Sequence, residues 1–119
     1  MIVGVGVDLV DIARFERAVR RTPALIPRLF APGERELPAH SLAARFAAKE
    51  ALVKAVGHST GFGWQDMEVV SDAEGNPSFR IGGGLATLAD RLGIRSFHLS
   101  MTHDAGVACA FVVAERSAA

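Results

Sequence analysis

Asp8, Glu50 and Lys54 are the residues whose types and spacing first point to chemistry. Glu50 and Lys54 stand four apart, acid before base, in the run RFAAKEALVKAVG, so on a helix they share a face. Two carboxylates from separate elements, Asp8 and Glu50, suit Mg²⁺, which keeps octahedral oxygen coordination and fills the rest of its shell with waters and phosphate oxygens. Arg45 and Lys49 are also four apart. Like charges at that spacing cost about 0.2–0.5 kcal/mol, and an anion between them would reverse the sign. The sharp reading is that Arg45, Lys49 and Lys54 hold a polyanion while Glu50 holds a metal. The bland reading is that Lys49 snorkels from the core edge, Glu50 and Lys54 form a solvated pair, and Asp8 is a cap or turn residue after a strand. Helix periodicity permits both. Asp11 is a rival ligand, but its place before IARF suits a helix cap better.

Other chemistry-bearing residues are weaker signals. His103 follows Phe97, Leu99 and Met101 on one face of a strand, where a lone histidine is more often a satisfied core residue, yet it stands beside a tight turn. His103 and Asp104 are adjacent and point to opposite sides, which argues against a Ser-His-Asp arrangement. The histidines lack zinc spacing, and the single Cys109, in the apolar run VACAFVV, reads as a small buried hydrophobe. Arg14, Arg17, Arg20 and Arg21 recur at three- and four-residue spacing, opposed only by Glu16, and make a basic ridge. That ridge is either solvated decoration or a dock for an acidic protein; nucleic acid fits less well, because stacking aromatics are sparse.

The elements that must position these groups follow from pattern. In MIVGVGVDLVDI, residues 1–8 read as a strand with Val3, Val5 and Val7 on one face and Gly4, Gly6 and Asp8 on the other. Without side chains at Gly4 and Gly6, a helix can approach closely, and the one bearing Glu50 is the obvious candidate. Asp11 caps a helix over IARFERAVRR that Pro23 ends. The proline-punctuated stretch PALIPRLFAPGERELPAH reads as short helical pieces and turns. Ser41 is the expected cap of the Ala-rich helix LAARFAAKEALVKAVG, which stops at Gly57. WQDMEVVSD and PSFRI flank AEGN as a hairpin, GGGLATLADRLG is a short helix, and IRSFHLSMTHD and GVACAFVVAE are strands joined at Ala105–Gly106. The order lacks strict βα alternation, so the expected class is α+β with a mostly antiparallel sheet and a long central helix.

Composition bounds the rest. With 119 residues, one domain over 1–119 is expected. Half the residues are hydrophobic and 22% are charged, so the chain reads as globular rather than disordered. Lys+Arg and Asp+Glu balance at 13 each, so no global charge argues for nucleic acid or an anionic membrane. One cysteine, no signal-peptide pattern and no membrane-length apolar run lead to the expectation of a cytoplasmic protein. The weakly charged final strands, VACAFVVA included, are an aggregation hazard unless a core or subunit interface covers them.

Four blocks, GVGVDLVDIARF, RFAAKEALVKAVG, MEVVSDAEGNPSF and LSMTHDAGVACAFVVAE, together resemble the short phosphopantetheinyl transferase family, the bacterial holo-acyl-carrier-protein synthases. The blocks stand in the family's order and span essentially the whole chain. The resemblance implies Mg²⁺-dependent transfer of the 4′-phosphopantetheine arm of coenzyme A to a serine of apo acyl carrier protein, releasing adenosine 3′,5′-bisphosphate, in fatty acid or polyketide biosynthesis. By motif match, Asp8 and Glu50 are the metal ligands. Lys54 meets the diphosphate; Arg45, Lys49 and His103 line the coenzyme A site; and Arg14, with Arg17 and Arg21, contacts the carrier. It also implies a homotrimer with active sites between subunits. Glu50 is the candidate to take the serine proton, and Lys54 to assist the leaving group. The rivals are a metal-dependent phosphohydrolase using the same Asp8/Glu50 pair and a catalytically silent carrier-binding module using the arginine ridge.

Overall fold

The computed structural model describes residues 1–117. Its elements are β1 (Ile2–Asp11), α1 (Ile12–Arg21), α2 (Leu25–Leu29), α3 (Ala39–Val56), β2 (Met67–Ser71), β3 (Pro77–Ile81), α4 (Gly83–Leu92), β4 (Ile94–Asp104) and β5 (Val107–Arg116). A 3₁₀ turn at Trp64–Asp66 leads into β2. The fold is α+β, with two antiparallel sheets, β1-β5-β4 and β2-β3. Its 18-residue α3 lies against the larger sheet.

The face of that sheet is built for a close helix. Ala110, Val112 and Ala114 of β5 are buried against Ala47, Ala48, Ala51, Leu52 and Ala55 of α3. Small residues on both sides bring the backbones together, while each fully buried Leu or Val contributes roughly 1.5–3 kcal/mol. The register sets Gly4, Gly6 and Asp8 on this inward face, because Gly6 pairs with Val112 and Asp8 with Ala110. A Cβ at Gly4 would overlap the Ala55 carbonyl, and one at Gly6 the Ala51 carbonyl. The expected close approach of the Glu50 helix is therefore present, and only glycine permits it.

A second cluster anchors the N-terminal half. Phe15 of α1 packs with Leu29, Phe30, Leu42 and Ala43. Asp11 caps α1 by accepting a hydrogen bond from the Arg14 amide at 2.9 Å, a contact worth about 1 kcal/mol. Residues 25–38 form the short α2 and turns, as the prolines foretell. The hairpin also forms: Asp72 Oδ1 accepts from the Glu74 and Asn76 amides, both at 2.9 Å. The β4–β5 turn takes positive φ at Ala105 and Gly106, 53° and 78°.

Three expectations change. β1 runs through Asp11 rather than ending at residue 8, because pairing with β5 continues to Val107. Ser41 does not cap α3; Pro38, in extended geometry, stands at the cap, and its carbonyl accepts from both the Ser41 and Leu42 amides. A proline there carries no amide to satisfy and presets helix-entry geometry, so the helix begins earlier than hydroxyl capping implies. Cys109 is only partly buried and belongs to the outward face of the sheet. That face leaves Val5 57%, Val7 52% and Leu9 67% exposed, with Phe111 beside them.

Candidate active site

Asp8 and Glu50 meet because a strand and a helix touch. Asp8 is the next inward-facing residue after Gly6, whose neighbour on α3 is Ala51, and Glu50 directly precedes Ala51. Both carboxylates line one cavity of about 380 Å³, with Asp11, Arg14, Phe15 and Phe46 among its other walls. Lys54, one turn beyond Glu50, donates to Asp8 Oδ1 at 3.1 Å and to the Val7 carbonyl at 3.0 Å. Its side chain is half exposed, so this pair is a surface contact of small net worth.

The electrostatics are those of a crowded acidic pair. Partial burial holds the Glu50 carboxyl above its usual range; repulsion from Asp8 adds to this, and Lys54 works against it. A cation between the two carboxylates would remove that repulsion. The donors are hard oxygens, and among the described residues no cluster of three or more His, Cys, Asp or Glu side chains forms. Two carboxylates with room for waters and phosphate oxygens fit Mg²⁺, which seldom takes an all-protein shell. Asp11, the rival ligand, lines the same cavity but is engaged as the α1 cap.

Glu50 also borders a second cavity of about 240 Å³, lined otherwise by the uncharged Val53, Ser59, Phe62, Gly63, Trp64 and Met67. Thus one carboxylate stands between a cavity that carries Arg14 and one without a cation.

Arg45 and His103 share a third cavity, of about 220 Å³, with His40, Ser41 and Met101. The rings of His40 and His103 have centroids 6.1 Å apart. His103 is exposed rather than a core residue; near the end of β4 it faces the first turns of α3 across this cavity. His40 is absent from the sequence reading; its place in the first turn of α3, one turn before Ala44 and Arg45, is the signal that would have found it. Neither Asp8 nor Glu50 lines this third cavity.

Lys49 is the main correction. Expected to face a polyanion, it has no exposed side-chain surface. Its Nζ donates to Glu34 Oε1 at 2.6 Å, to the Leu29 carbonyl at 2.8 Å and to the Trp64 carbonyl at 3.3 Å. All three protons are used, so none is left for a substrate. Burial pulls the ammonium below the ordinary lysine range, while the Glu34 carboxylate pulls the other way. An anion does lie between Arg45 and Lys49, but it belongs to the chain: Glu34 Oε2 is 4.0 Å from Arg45 Nε. Sequence reasoning passed over Glu34, although a lysine inside an apolar stripe calls for a buried carboxylate somewhere.

The arginine ridge is exposed along α1: Arg14, Arg17, Arg20 and Arg21 all face solvent, and Glu16 offsets only Arg20, at 3.9 Å. Arg14 is the member that reaches the Asp8/Glu50 cavity.

A carboxylate pair flanked by Lys54 and Arg14, with a separate basic cavity elsewhere on an α+β frame, has the chemistry to hold a divalent cation and phosphate oxygens. The chain belongs to the 4′-phosphopantetheinyl transferase superfamily, whose family model matches residues 4–112. It is 64% identical over 115 residues to the holo-[acyl-carrier-protein] synthase of Clavibacter sepedonicus, covering 97% of each chain. Its fold is similar to that of the holo-[acyl-carrier-protein] synthase of Neisseria meningitidis, with a TM-score of 0.90 and 35% identity over 98% of this chain and 100% of that one. The Helicobacter pylori synthase in complex with coenzyme A is similar at a TM-score of 0.82 and 30% identity, over 93% of this chain and 99% of that one.

Proposed function

We propose that this chain is a holo-[acyl-carrier-protein] synthase, one transferase domain over residues 1–119 that moves the 4′-phosphopantetheine arm of coenzyme A onto a serine of apo acyl carrier protein. The observation that carries the site assignment is the pairing of Asp8 and Glu50 in one cavity with Arg14 at its rim and Lys54 against Asp8. In the reaction the serine oxygen attacks the phosphorus that bears the arm. A new phosphoester forms, the diphosphate bond breaks, and adenosine 3′,5′-bisphosphate leaves.

Each residue has a distinct task in this reading. Asp8 and Glu50 would hold Mg²⁺, which when bound supplies the charge that neutralises the diphosphate. Glu50, which lines both the Arg14 cavity and the Trp64 cavity, is the candidate to receive the serine proton, directly or through a metal-bound water. Lys54 is exposed enough to exchange Asp8 for the diphosphate and to steady charge on the departing bisphosphate. Arg45 and His103 offer the third, basic cavity to the remaining phosphate of coenzyme A. Arg14, Arg17 and Arg21 meet the acidic carrier, and Arg14 leads its serine to Glu50.

The two charged cavities also bear on assembly. Arg45 and His103 line one and Asp8 and Glu50 another, an arrangement that suits a homotrimer in which neighbouring copies complete each site. The apolar outward face of β1 and β5 gives such copies a surface to bury. No helix among the described residues is long and apolar enough to cross a membrane. We assign the enzyme to the cytoplasm, a reducing compartment that its free Cys109 suits. Incubation with coenzyme A, Mg²⁺ and an apo carrier protein should add the mass of the arm to the carrier. No gain across several carriers would overturn the assignment; coenzyme A breakdown without an acceptor would favour a phosphohydrolase.

A further inference from the structure

Glu34 lies in the turn between α2 and α3, and its carboxylate has no exposed surface. Oε1 accepts from the Ala31 amide at 2.9 Å and from Lys49, and Oε2 accepts from the Val69 amide at 3.1 Å. Lys49 carries the linkage onward to the Leu29 and Trp64 carbonyls. Its Nζ also stands 5.1 Å from the centre of the Phe30 ring. One ion pair therefore fastens the end of α2, the 31–34 turn, the middle of α3, the 3₁₀ turn and β2 to one another.

That is a costly way to hold a fold. Removing two charges from water costs several kcal/mol per ion, and an apolar pair of similar volume is often as stable or more so. What the ion pair supplies instead is geometry, since every donor and acceptor has a fixed partner. The pieces it fastens border Glu50: Lys49 is the preceding residue, Trp64 and Met67 wall the second cavity that Glu50 borders, and Val69 is two residues further along β2. Trp64 is held from its other side by the Phe46 ring, at 5.7 Å between centroids.

We infer that Glu34 is a positioning residue for the transfer reaction, acting through Lys49 to set the Trp64–Met67 wall against Glu50. The inference rests on the transferase reading, in which the cavity bearing Arg14 receives the acidic carrier; to it we add that the Trp64 cavity, whose lining carries no charge but Glu50, receives the uncharged arm of coenzyme A. Loss of the Glu34 charge lets this wall move away from Glu50, so the arm is held less well while the reacting groups themselves are untouched.

Trp64 is the only tryptophan in the chain, so its emission reports on that wall directly. In Glu34→Gln, shown folded by circular dichroism, Trp64 emission should shift to longer wavelength. The KM for coenzyme A should rise about tenfold while kcat stays within about threefold. Glu34→Asp keeps the charge and should recover most of the loss. Where Glu34→Gln does not fold, Glu34→Leu/Lys49→Met carries the same readouts, because it leaves no unpaired charge in the core. Either folded variant with wild-type emission and wild-type KM overturns the inference, as does a fall in kcat with KM unchanged. Wild-type protein that loads no carrier would instead overturn the functional reading, and Trp64 emission in the variants would still decide the role of Glu34.

Discussion

Gly6 lies so close to Ala51 that a single methyl group at Gly6 would overlap the Ala51 carbonyl oxygen. This contact fixes the spacing between the strand that carries Asp8 and the helix that carries Glu50. Gly6→Ala should force the two apart, at about 1–3 kcal/mol, the usual range for overpacking. The loss of transfer activity should exceed that of a stability-matched variant in the Phe15 cluster. Urea unfolding and the carrier mass assay, run on both variants, check this.

Asp8→Asn keeps the size of the side chain and removes its charge. Because Asp8 is partly exposed and its partner Lys54 is a surface group, the fold should survive with little change in Tm. Mg²⁺-dependent turnover should drop about a hundredfold or more, the scale of losing one preorganised charge contact. Turnover equal to wild type across a Mg²⁺ titration would favour the silent carrier-binding reading.

Glu50 should cost the enzyme stability at neutral pH. Burial first, and Asp8 second, raise its folded pKa above the unfolded value, so the folded chain binds the proton more readily than the unfolded one. Its contribution is fully present below the unfolded carboxylate value and is lost as pH rises through the raised folded value. Glu50→Gln should therefore melt higher than wild type near neutral pH and no higher at about pH 4, while transferring no arm. Thermal melts at the two pH values, repeated with added Mg²⁺ to narrow the neutral-pH gap, test the sign.

Reversing the arginine ridge should affect the carrier alone. Arg17→Glu/Arg21→Glu, which leaves the Asp8/Glu50 cavity untouched, is expected to raise the KM for the carrier about tenfold or more and to flatten its salt dependence, with coenzyme A binding unchanged. Kinetics at two ionic strengths separate this from a general loss of activity.

Val5 tests the proposed homotrimer. Its side chain is 57% exposed on the apolar outward face, so Val5→Asp adds no charge to the core of one subunit. Light scattering should show the assembly reduced to monomer, with transfer lost in parallel. An active monomer would count against sites shared between subunits.

The elements and the carboxylate pair were legible in the chain because they depend on local pattern. The period-two ladder of Gly4, Gly6 and Asp8, the Asp11 cap and the Gly57 stop each act within a few residues of themselves. The glycine face even foretold which helix would approach, since only a backbone needs a surface without side chains. Lys49 was legible as an oddity but not as a role, because its partner Glu34 lies 15 residues away in a turn without periodicity. Burial of that pair, the exposure of His103 beside His40 and the division of the basic residues between cavities were decided by tertiary structure. Charge and spacing along a chain establish which groups can interact; only packing determines which are removed from water, and so whether an anion met by a lysine is a substrate or the protein's own carboxylate.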